Sequence, residues 1–300
     1  MKRWRKILLS VVVLVLVMMV GAVLYLSYDA ARDMVTNVPP KLSVQTPADF
    51  GMPYEEVTTT SADGLNLVGW FIPAQNGSTI IVQHGLESTR ESMLDNAEIL
   101  HRHGYGVLLS TVRAHDGSDG EMIYFGQMEM QDLDAWYRYL LTRDDVEPEH
   151  IGILGESYGG FISAQYAAQN ENIQAVVDHS GFYSIERTVE VYSKKQGVPM
   201  PKLMVPLVLF WGERIAGIDS DRADSTLWVA DISPRPILII HGGQDDYVGG
   251  ECGHELYETA LEPKEFWYDE AGGHANFEEL YPEEYERRVT AFYDEWLLDR

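Results

Sequence analysis

An uninterrupted apolar run stands near the start of the chain, where residues 7–26 (ILLSVVVLVLVMMVGAVLYL) carry no charge. A helix rises about 1.5 Å per residue, so a run of this length crosses the roughly 30 Å hydrocarbon core of a bilayer. Most residues before the run are lysine or arginine, and basic flanks stay on the cytoplasmic side. The pattern predicts a cytoplasmic tail at 1–6, a transmembrane helix at 7–26, and the remaining chain on the outer face of the cell membrane.

A cleaved signal peptide is the alternative interpretation, because it also begins with basic residues and continues into an apolar region. That region needs only about 7–15 residues, and the run in this chain is longer. The run also passes through Tyr25 and Tyr28 into Asp29 without a small-residue cleavage site. We therefore expect an uncleaved signal-anchor and a single-pass protein.

Beyond the apolar run the chain first becomes rich in polar residues and then in residues typical of β-strands. Residues 27–52 are rich in proline and polar side chains, which is typical of a stalk or linker. Two β-rich runs, 55–60 and 65–72, flank the turn signal at 61–64 and predict a β-hairpin. We expect one folded domain from residue 53 to residue 300.

Short apolar runs then alternate with longer mixed stretches. Such runs are typical of strands buried in a parallel sheet, and the stretches between them of crossover helices. The predicted strands are 78–83, 106–111, 151–154, 173–178, 236–241 and 265–268, and the predicted helices are 88–103, 128–141, 161–170, 251–260 and 283–298. This alternation predicts an α/β fold, a mostly parallel sheet with helices on both faces. Residues 182–232 lack a clean strand and are too long for a loop, so we expect a helical lid insertion there.

The composition narrows the classes of partner. Hydrophobic residues make up 45% of the chain, enough for a buried core, and 47 acidic against 22 basic side chains give a formal net charge of −25. Nucleic-acid affinity comes largely from neutralised phosphates, so we expect no nucleic-acid partner. Anionic headgroups would repel the same surface, so attachment to the lipid bilayer should come from the apolar helix and not from a basic patch. The single cysteine, Cys252, excludes an internal disulfide.

The segment Gly155-Glu156-Ser157-Tyr158-Gly159 follows a predicted strand and opens a predicted helix. A serine at a tight strand-to-helix turn is held with its hydroxyl exposed above the sheet, and the flanking glycines let the strand and helix pack closely. The five-residue pattern alone also fits a glycine-bearing turn with an ordinary surface serine. Its position between a strand and a helix favours a nucleophile elbow, with Ser157 as the candidate nucleophile.

A serine hydroxyl needs a base that accepts its proton and a carboxylate that orients the base. Asp245 follows the predicted strand 236–241, at the carboxyl end where functional groups collect in open α/β sheets. Its neighbour Asp246 is the alternative, and both aspartates also fit turn residues that cap the next helix. Among nine histidines, His274 stands out because it lies in a glycine-rich loop between the acid and the last helix. The chain order Ser157, Asp245, His274 is the one used with a nucleophile elbow.

Two backbone N–H groups are also needed to stabilise the charge that develops on an attacked carbonyl oxygen. Tyr158, the residue after the candidate nucleophile, offers one. The loop after the first parallel strand offers the other, and Leu86 is the candidate there. A simple strand-ending turn is the alternative for that loop.

From about residue 54 onward the chain resembles the α/β-hydrolase superfamily of serine hydrolases. Besides the segment around Ser157, two stretches carry the resemblance and are usually structural: Arg-x-His-x-x-Ser-x-Gly at 113–120 and Gly-x-x-Glu-x-x-Asp at 126–132. The Ser-Tyr-Gly-Gly form of the elbow and Tyr-Pro-Glu-Glu-Tyr at 281–285 are similar to membrane-anchored esterases and the prolyl-oligopeptidase-like branch. The chain departs from them at Val248-Gly249, where relatives often have Val-Pro. No propeller-sized domain precedes the resemblance, so we expect no dedicated oligopeptidase.

The resemblance implies a carboxylesterase-like serine hydrolase that cleaves small-molecule carboxylic esters or thioesters through an acyl-enzyme on Ser157, without a metal or organic cofactor. A serine peptidase or amidase that uses the same residues is the first alternative. The second alternative is a non-catalytic binding protein, because a fold alone does not fix a function.

Overall fold

Eight strands form one sheet in the computed structural model, which describes residues 2–36, 38, 41–195 and 204–298. The strands are β1 (Glu55–Thr60), β2 (Asn66–Ile72), β3 (Thr79–Gln83), β4 (Gly106–Ser110), β5 (Ile151–Glu156), β6 (Ala175–His179), β7 (Ile237–Gly242) and β8 (Lys264–Asp269). Their order across the sheet is β1-β2-β4-β3-β5-β6-β7-β8. The pairs β1–β2 and β2–β4 are antiparallel, and all the other neighbours are parallel.

The central strands are covered on both faces, as their continuous apolar sequences require. Every residue of β3 to β7 is buried. Ile81 belongs to one apolar cluster, whereas Ile80 and Val82 belong to a second. Alternate residues of a strand point to opposite faces, so the sheet separates two cores.

Helices occupy both sides of the sheet. In the described part of the chain they are α1 (Lys2–Thr36), α2 (Leu94–Arg102), α3 (Glu129–Leu140), α4 (Tyr158–Gln169), α5 (Ile185–Lys195), α6 (Val205–Ala216), α7 (Cys252–Thr259), α8 (Phe277–Leu280) and α9 (Pro282–Tyr293). The predicted α/β fold, its hairpin and each predicted strand are confirmed, with strand ends shifted by at most two residues. The predicted helix at 88–103 begins later as an α-helix, because Arg90–Met93 form a 3₁₀ turn.

Helix α1 includes the predicted span and extends beyond it. Among the described residues it is the one helix long and apolar enough to cross a membrane, and the side chains between residues 7 and 26 are largely exposed. The helix continues to Thr36, which differs from the predicted stalk at 27–52. Ser27, Ala31 and Val35 recur every four residues and are buried, and this part of the chain packs on α6. Tertiary packing therefore keeps residues 27–36 helical where composition suggested a linker.

The predicted lid at 182–232 contains α5 and α6, followed by short 3₁₀ turns between residues 220 and 232. Residues 196–203 of this segment lie outside the described residues, as do residues 1, 37, 39 and 40 of the predicted tail and stalk. Helix α6 contacts both α1 and α5. Helix α6 of the insertion therefore lies between the N-terminal helix α1 and the other lid helix, α5.

Candidate active site

Ser157 lies in a backbone conformation that non-glycine residues seldom adopt. It joins the end of β5 to the start of α4 with φ +56° and ψ −121°. A Cβ atom at Gly155 would overlap the carbonyl oxygen of Gly159, and a Cβ atom at Gly159 would overlap the carbonyl oxygen of Gln83. Both glycines are therefore needed for the close approach of strand and helix that holds Ser157 at the turn.

Two further side chains, from loops remote in sequence, converge on this serine. The imidazole Nε2 of His274 lies 2.8 Å from the Oγ of Ser157. The Nδ1 of the same ring lies 2.7 Å from Oδ2 of Asp245. When Nδ1 carries the ring proton and donates a hydrogen bond to the carboxylate, Nε2 is free to accept the proton of the serine hydroxyl. The structure thus brings the three predicted residues together, and their catalytic role stays a prediction.

Asp245, and not its neighbour, is the aspartate directed at the histidine. Its Oδ1 accepts the backbone N–H groups of Tyr247 and Val248, each at 3.0 Å. Burial alone would raise the pKa of this carboxyl, but the hydrogen bonds and charges of its neighbours, His274 first among them, together outweigh burial, and the pKa is lowered. Asp246 is exposed and forms an ion pair of 2.6 Å with Lys195. The carboxylate beside the imidazole is therefore held ionised and fixed in orientation.

The loop that carries His274 is fastened by contacts that sequence analysis missed. The N–H of Ala275 donates to Oγ of Ser180 at 3.0 Å, and the N–H of Gly273 donates to Oδ1 of Asn276 at 3.0 Å. The ring of Tyr247 stacks on the imidazole, with 4.6 Å between ring centroids. The only sequence signal for Ser180 was its position directly after a buried strand.

The loop after β3 runs directly beside the serine. A Cβ atom at Gly85 would lie 3.4 Å from Cβ of Ser157. Leu86 follows Gly85 and is half-buried. Tyr158 is the first residue of α4, where backbone N–H groups have no partner within the helix. Both residues predicted to form the oxyanion hole are thus next to Ser157 in sequence or in space, and their donor role stays a prediction.

The buried side chain of His115 holds the loop after β3 through a hydrogen bond. Its Nε2 accepts the N–H of Glu87 at 3.2 Å, so its Nδ1 carries the ring proton and donates to the carbonyl of Arg113 at 2.8 Å. Burial lowers the pKa of His115, which favours this neutral ring. The histidine of the 113–120 stretch therefore acts on the loop that contains Leu86.

The other motif residues hold the domain together. The guanidinium of Arg113 is bonded to Asp132 at 2.7 Å and to Asp63 at 2.9 Å. Glu129 accepts the N–H groups of Tyr124 and Gly126. In addition, Gly249 has φ +100°, which proline cannot adopt, so the departure from Val-Pro changes the turn after Asp245.

A buried acid–imidazole cluster lies next to the elbow and was not predicted. Glu156 Oε1 and Glu278 Oε2 lie 3.6 and 3.7 Å from Nδ1 of the fully buried His179. Burial raises the pKa of both carboxyls to about 7 and lowers the pKa of His179 to about 4. Among the described residues this is the one group of three such side chains close enough to hold a metal ion. Protonated carboxyls and a neutral imidazole also leave the site without charge, so its charge balance does not require a cation.

The cluster makes stability depend on pH. The raised pKa of Glu156 means that the folded protein is destabilised as the pH rises from about 4.5 towards 7, because a buried carboxyl must then ionise. Glu156→Gln removes that cost, which is roughly 3 kcal/mol for a shift of this size. We expect the variant to melt several degrees above the wild type at pH 8.5 and close to it at pH 5. Thermal melts of both proteins, with the exposed Glu258→Gln as the control, measure the difference; an equal gain at both pH values would contradict it.

The chain is similar in sequence or structure to a peptidase family, to an esterase and to an uncharacterized bacterial protein. A sequence profile of the X-Pro dipeptidyl-peptidase (S15 family) matches residues 45–211. An uncharacterized protein of Mycobacterium tuberculosis is 28% identical over 225 residues, which cover 73% of this chain and 72% of that protein. The structure of an esterase of Pyrococcus furiosus is similar with a TM-score of 0.73 at 26% identity, over 88% of this chain and 98% of the esterase. An acylaminoacyl peptidase has the same fold, with a TM-score of 0.63 at 17% identity over 86% of this chain and 44% of the peptidase.

Proposed function

We propose that this chain, which belongs to the X-Pro dipeptidyl-peptidase (S15 family) within the α/β-hydrolase superfamily of serine hydrolases, cleaves carboxylic esters or thioesters through an acyl-enzyme on Ser157. One observation carries the proposal. The imidazole of His274 lies between the hydroxyl of Ser157 and the carboxylate of Asp245, with both heavy-atom distances below 3 Å. An esterase is also among the similar structures at 26% identity.

The proposed reaction uses the residues in fixed roles. His274 Nε2 accepts the proton of Ser157 as Oγ attacks the acyl carbonyl carbon. Asp245 holds the ring orientation and stabilises the imidazolium that forms. The imidazolium then returns the proton to the departing alcohol or thiol, which leaves the acyl group on Ser157. Water activated by the same imidazole releases the acid and restores the hydroxyl.

The oxyanion of the tetrahedral intermediate requires preorganised donors. We assign them to the backbone N–H groups of Leu86 and Tyr158. Support comes from the short distance between Gly85 and Ser157 and from the bond of Glu87 to His115, which fixes the same loop. Loss of one such donor costs about 2.7–4 kcal/mol in other acyl-transfer enzymes.

A peptidase or amidase is the second candidate. The matching profile is that of a peptidase family, and the same three residues can attack an amide. The two activities differ in the leaving group that the surrounding surface accepts. They share the acyl-enzyme on Ser157, so substrate preference separates them.

The membrane topology is also part of the proposal. We assign residues 1–6 to the cytoplasm, residues 7–26 to a single membrane span, and the hydrolase domain from residue 53 to the outer face. The length and apolar surface of α1 support the span, and the basic residues before it support the orientation.

A substrate series tests the proposed function. Full-length protein in detergent is assayed with p-nitrophenyl acetate, butyrate and octanoate, and with Ala-p-nitroanilide and Gly-Pro-p-nitroanilide. We expect turnover of at least one ester and no measurable turnover of either anilide, because the proposed activity takes an alcohol or thiol leaving group and not an amine. A preference for Gly-Pro-p-nitroanilide would favour the peptidase. Well-folded protein that turns over neither class would favour a binding protein.

A further inference from the structure

The lid helix α6 is packed against α1 at the level where the proposed membrane span ends. The rings of Tyr28 and Trp211 meet edge to face, with 5.6 Å between centroids. A Cβ atom at Gly212 would lie 3.0 Å from Cε of Met34, so the two helices are in close contact. Tyr28 is two residues beyond the last residue of the span, about 3 Å along the helix axis. Trp211 is therefore placed at the height of the lipid headgroups.

Four aromatic side chains form one patch at this height, defined as Tyr25, Tyr28, Phe210 and Trp211. The exposed fractions of Tyr25, Tyr28 and Phe210 are 65%, 41% and 40%. Phe210 and Trp211 contact each other, with 5.1 Å between centroids. Trp211 is half-buried with its Nε1 enclosed, so the two tyrosines and Phe210 form the exposed part of the patch. Tyrosine collects at membrane–water interfaces because one part of its ring is apolar and the other polar. Two separate segments of the chain thus contribute to the kind of surface that a bilayer interface favours.

We propose that this aromatic patch inserts into the headgroup region of the outer leaflet, so that α6 lies on the membrane and the substrate is an amphiphilic acyl ester taken from that leaflet. The substrate part of this inference rests on the proposed function. The insertion of the patch does not need the proposed hydrolysis and rests only on the proposed membrane span and its orientation.

The charges around the patch agree with insertion of apolar rings and not with attraction to anionic lipid. Arg32 is paired with Asp29 on α1. On α6, the guanidinium of Arg214 covers the ring of Phe210 at 3.5 Å, and Glu213 stands next to it in the chain. With acidic and basic groups mixed in this way, binding should depend little on anionic lipid content.

A short chain of contacts links the patch to the candidate active site. Helix α6 contacts α5, and Tyr192 of α5 stacks on Tyr247 with 6.0 Å between centroids. Tyr247 in turn stacks on His274. Packed helices lie about 8–10 Å apart, so α5 is within about 20 Å of the α1 axis. The contacts thus run from the aromatic patch through α6, α5 and Tyr247 to His274.

Fluorescence quenching tests the insertion directly. Full-length protein is reconstituted in phosphatidylcholine vesicles that contain acyl chains brominated near the headgroup. Trp4 lies just before the proposed span and contributes the same quenchable emission to every variant. Beyond that part, we expect Trp211→Phe to remove most of the quenchable tryptophan emission, whereas Trp296→Phe leaves it unchanged. Replacing a third of the lipid with phosphatidylglycerol should change quenching less than twofold. Equal quenching in the wild type and Trp211→Phe would overturn the proposal.

A ratio of two activities tests the substrate class. The first rate is measured on a long-chain monoacylglycerol in the vesicles and the second on soluble p-nitrophenyl acetate. We expect Phe210→Ser to lower the ratio of these rates about tenfold, and Phe210→Leu to restore most of it. Leu261→Ser serves as the matched control. Leu261 is an exposed apolar residue just before the start of β8, at the opposite end of that strand from the loop that carries His274. An unchanged ratio in Phe210→Ser would refute delivery from the leaflet.

Insertion of the patch and supply of the substrate from the leaflet can be refuted separately. If the wild type hydrolyses p-nitrophenyl acetate but the ratio does not respond to Phe210, the proposed function stands and membrane delivery is wrong. If neither ester is hydrolysed, the proposed function is wrong, and quenching of Trp211 still decides whether the lid inserts.

Discussion

Replacement of Ser157 by alanine is expected to lower kcat for the best p-nitrophenyl ester by roughly 10⁴–10⁶-fold. Oγ of Ser157 is the atom that His274 Nε2 contacts, so its removal takes away the group proposed to form the acyl-enzyme. Any remaining rate should come from substrate binding and the oxyanion donors. Steady-state kinetics of the purified full-length variant measure the loss.

The fold of that variant must be checked in parallel, because Ser157 occupies a strained turn. Circular dichroism and the melting temperature should stay close to those of the wild type, since alanine at φ +56° differs from serine there by a single oxygen atom. A folded Ser157→Ala variant with more than about a tenth of the wild-type rate would show that another group is the nucleophile.

Asp245→Asn is expected to lower kcat by about 10⁴-fold, as loss of the orienting carboxylate does in other serine hydrolases. An amide can present its N–H to His274 and so favour the wrong tautomer, and it no longer stabilises the imidazolium. Its oxygen is still able to accept the N–H groups of Tyr247 and Val248, so the loop should keep its shape. The ester assay used for Ser157 measures the effect.

The neighbouring residue provides a matched control for this substitution. Asp246→Asn makes the same chemical change one position along the chain, where the side chain is exposed and paired with Lys195. We expect kcat to change less than about threefold in this variant. If the two variants lost activity equally, the orienting role would not belong to Asp245.

The elbow and the order of the three candidate residues were predictable because they depend on local rules. Gly155 is required by its close approach to Gly159 and Gly159 by its close approach to Gln83 of the neighbouring strand, and a turn of this kind has a recognisable sequence. Asp245 follows the buried strand β7 and His274 follows the edge strand β8, and the carboxyl ends of parallel strands meet at one edge of the sheet. Sequence alone left Asp246 as an alternative, because the pattern does not fix which of two adjacent side chains turns inward.

The acid–imidazole cluster was not predictable from the pattern of residues. Glu156 is the last residue of β5, directly before the candidate nucleophile, where a charged side chain would normally reach solvent. It is buried because His179 comes from the next strand and Glu278 from the helix after His274. Only the three-dimensional packing of these elements reveals that two carboxyls face one ring nitrogen.

The helical continuation of α1 was also not predictable from the sequence pattern. Residues 27–36 contain charged and polar side chains, and composition favoured a linker. The buried positions Ser27, Ala31 and Val35 form a stripe only when a partner helix is present, and that partner, α6, lies about 180 residues later in the chain. A contact between segments so far apart leaves no local signal in either one.

Mass spectrometry after treatment with a fluorophosphonate probe tests most directly whether Ser157 is an activated nucleophile. Full-length protein should gain one phosphonyl adduct, and peptide mapping should place it on Ser157. The adduct should be absent from Ser157→Ala and form far more slowly on Asp245→Asn. Folded wild-type protein that gains no adduct, or gains it on a different residue, would contradict a serine hydrolase built on Ser157, His274 and Asp245.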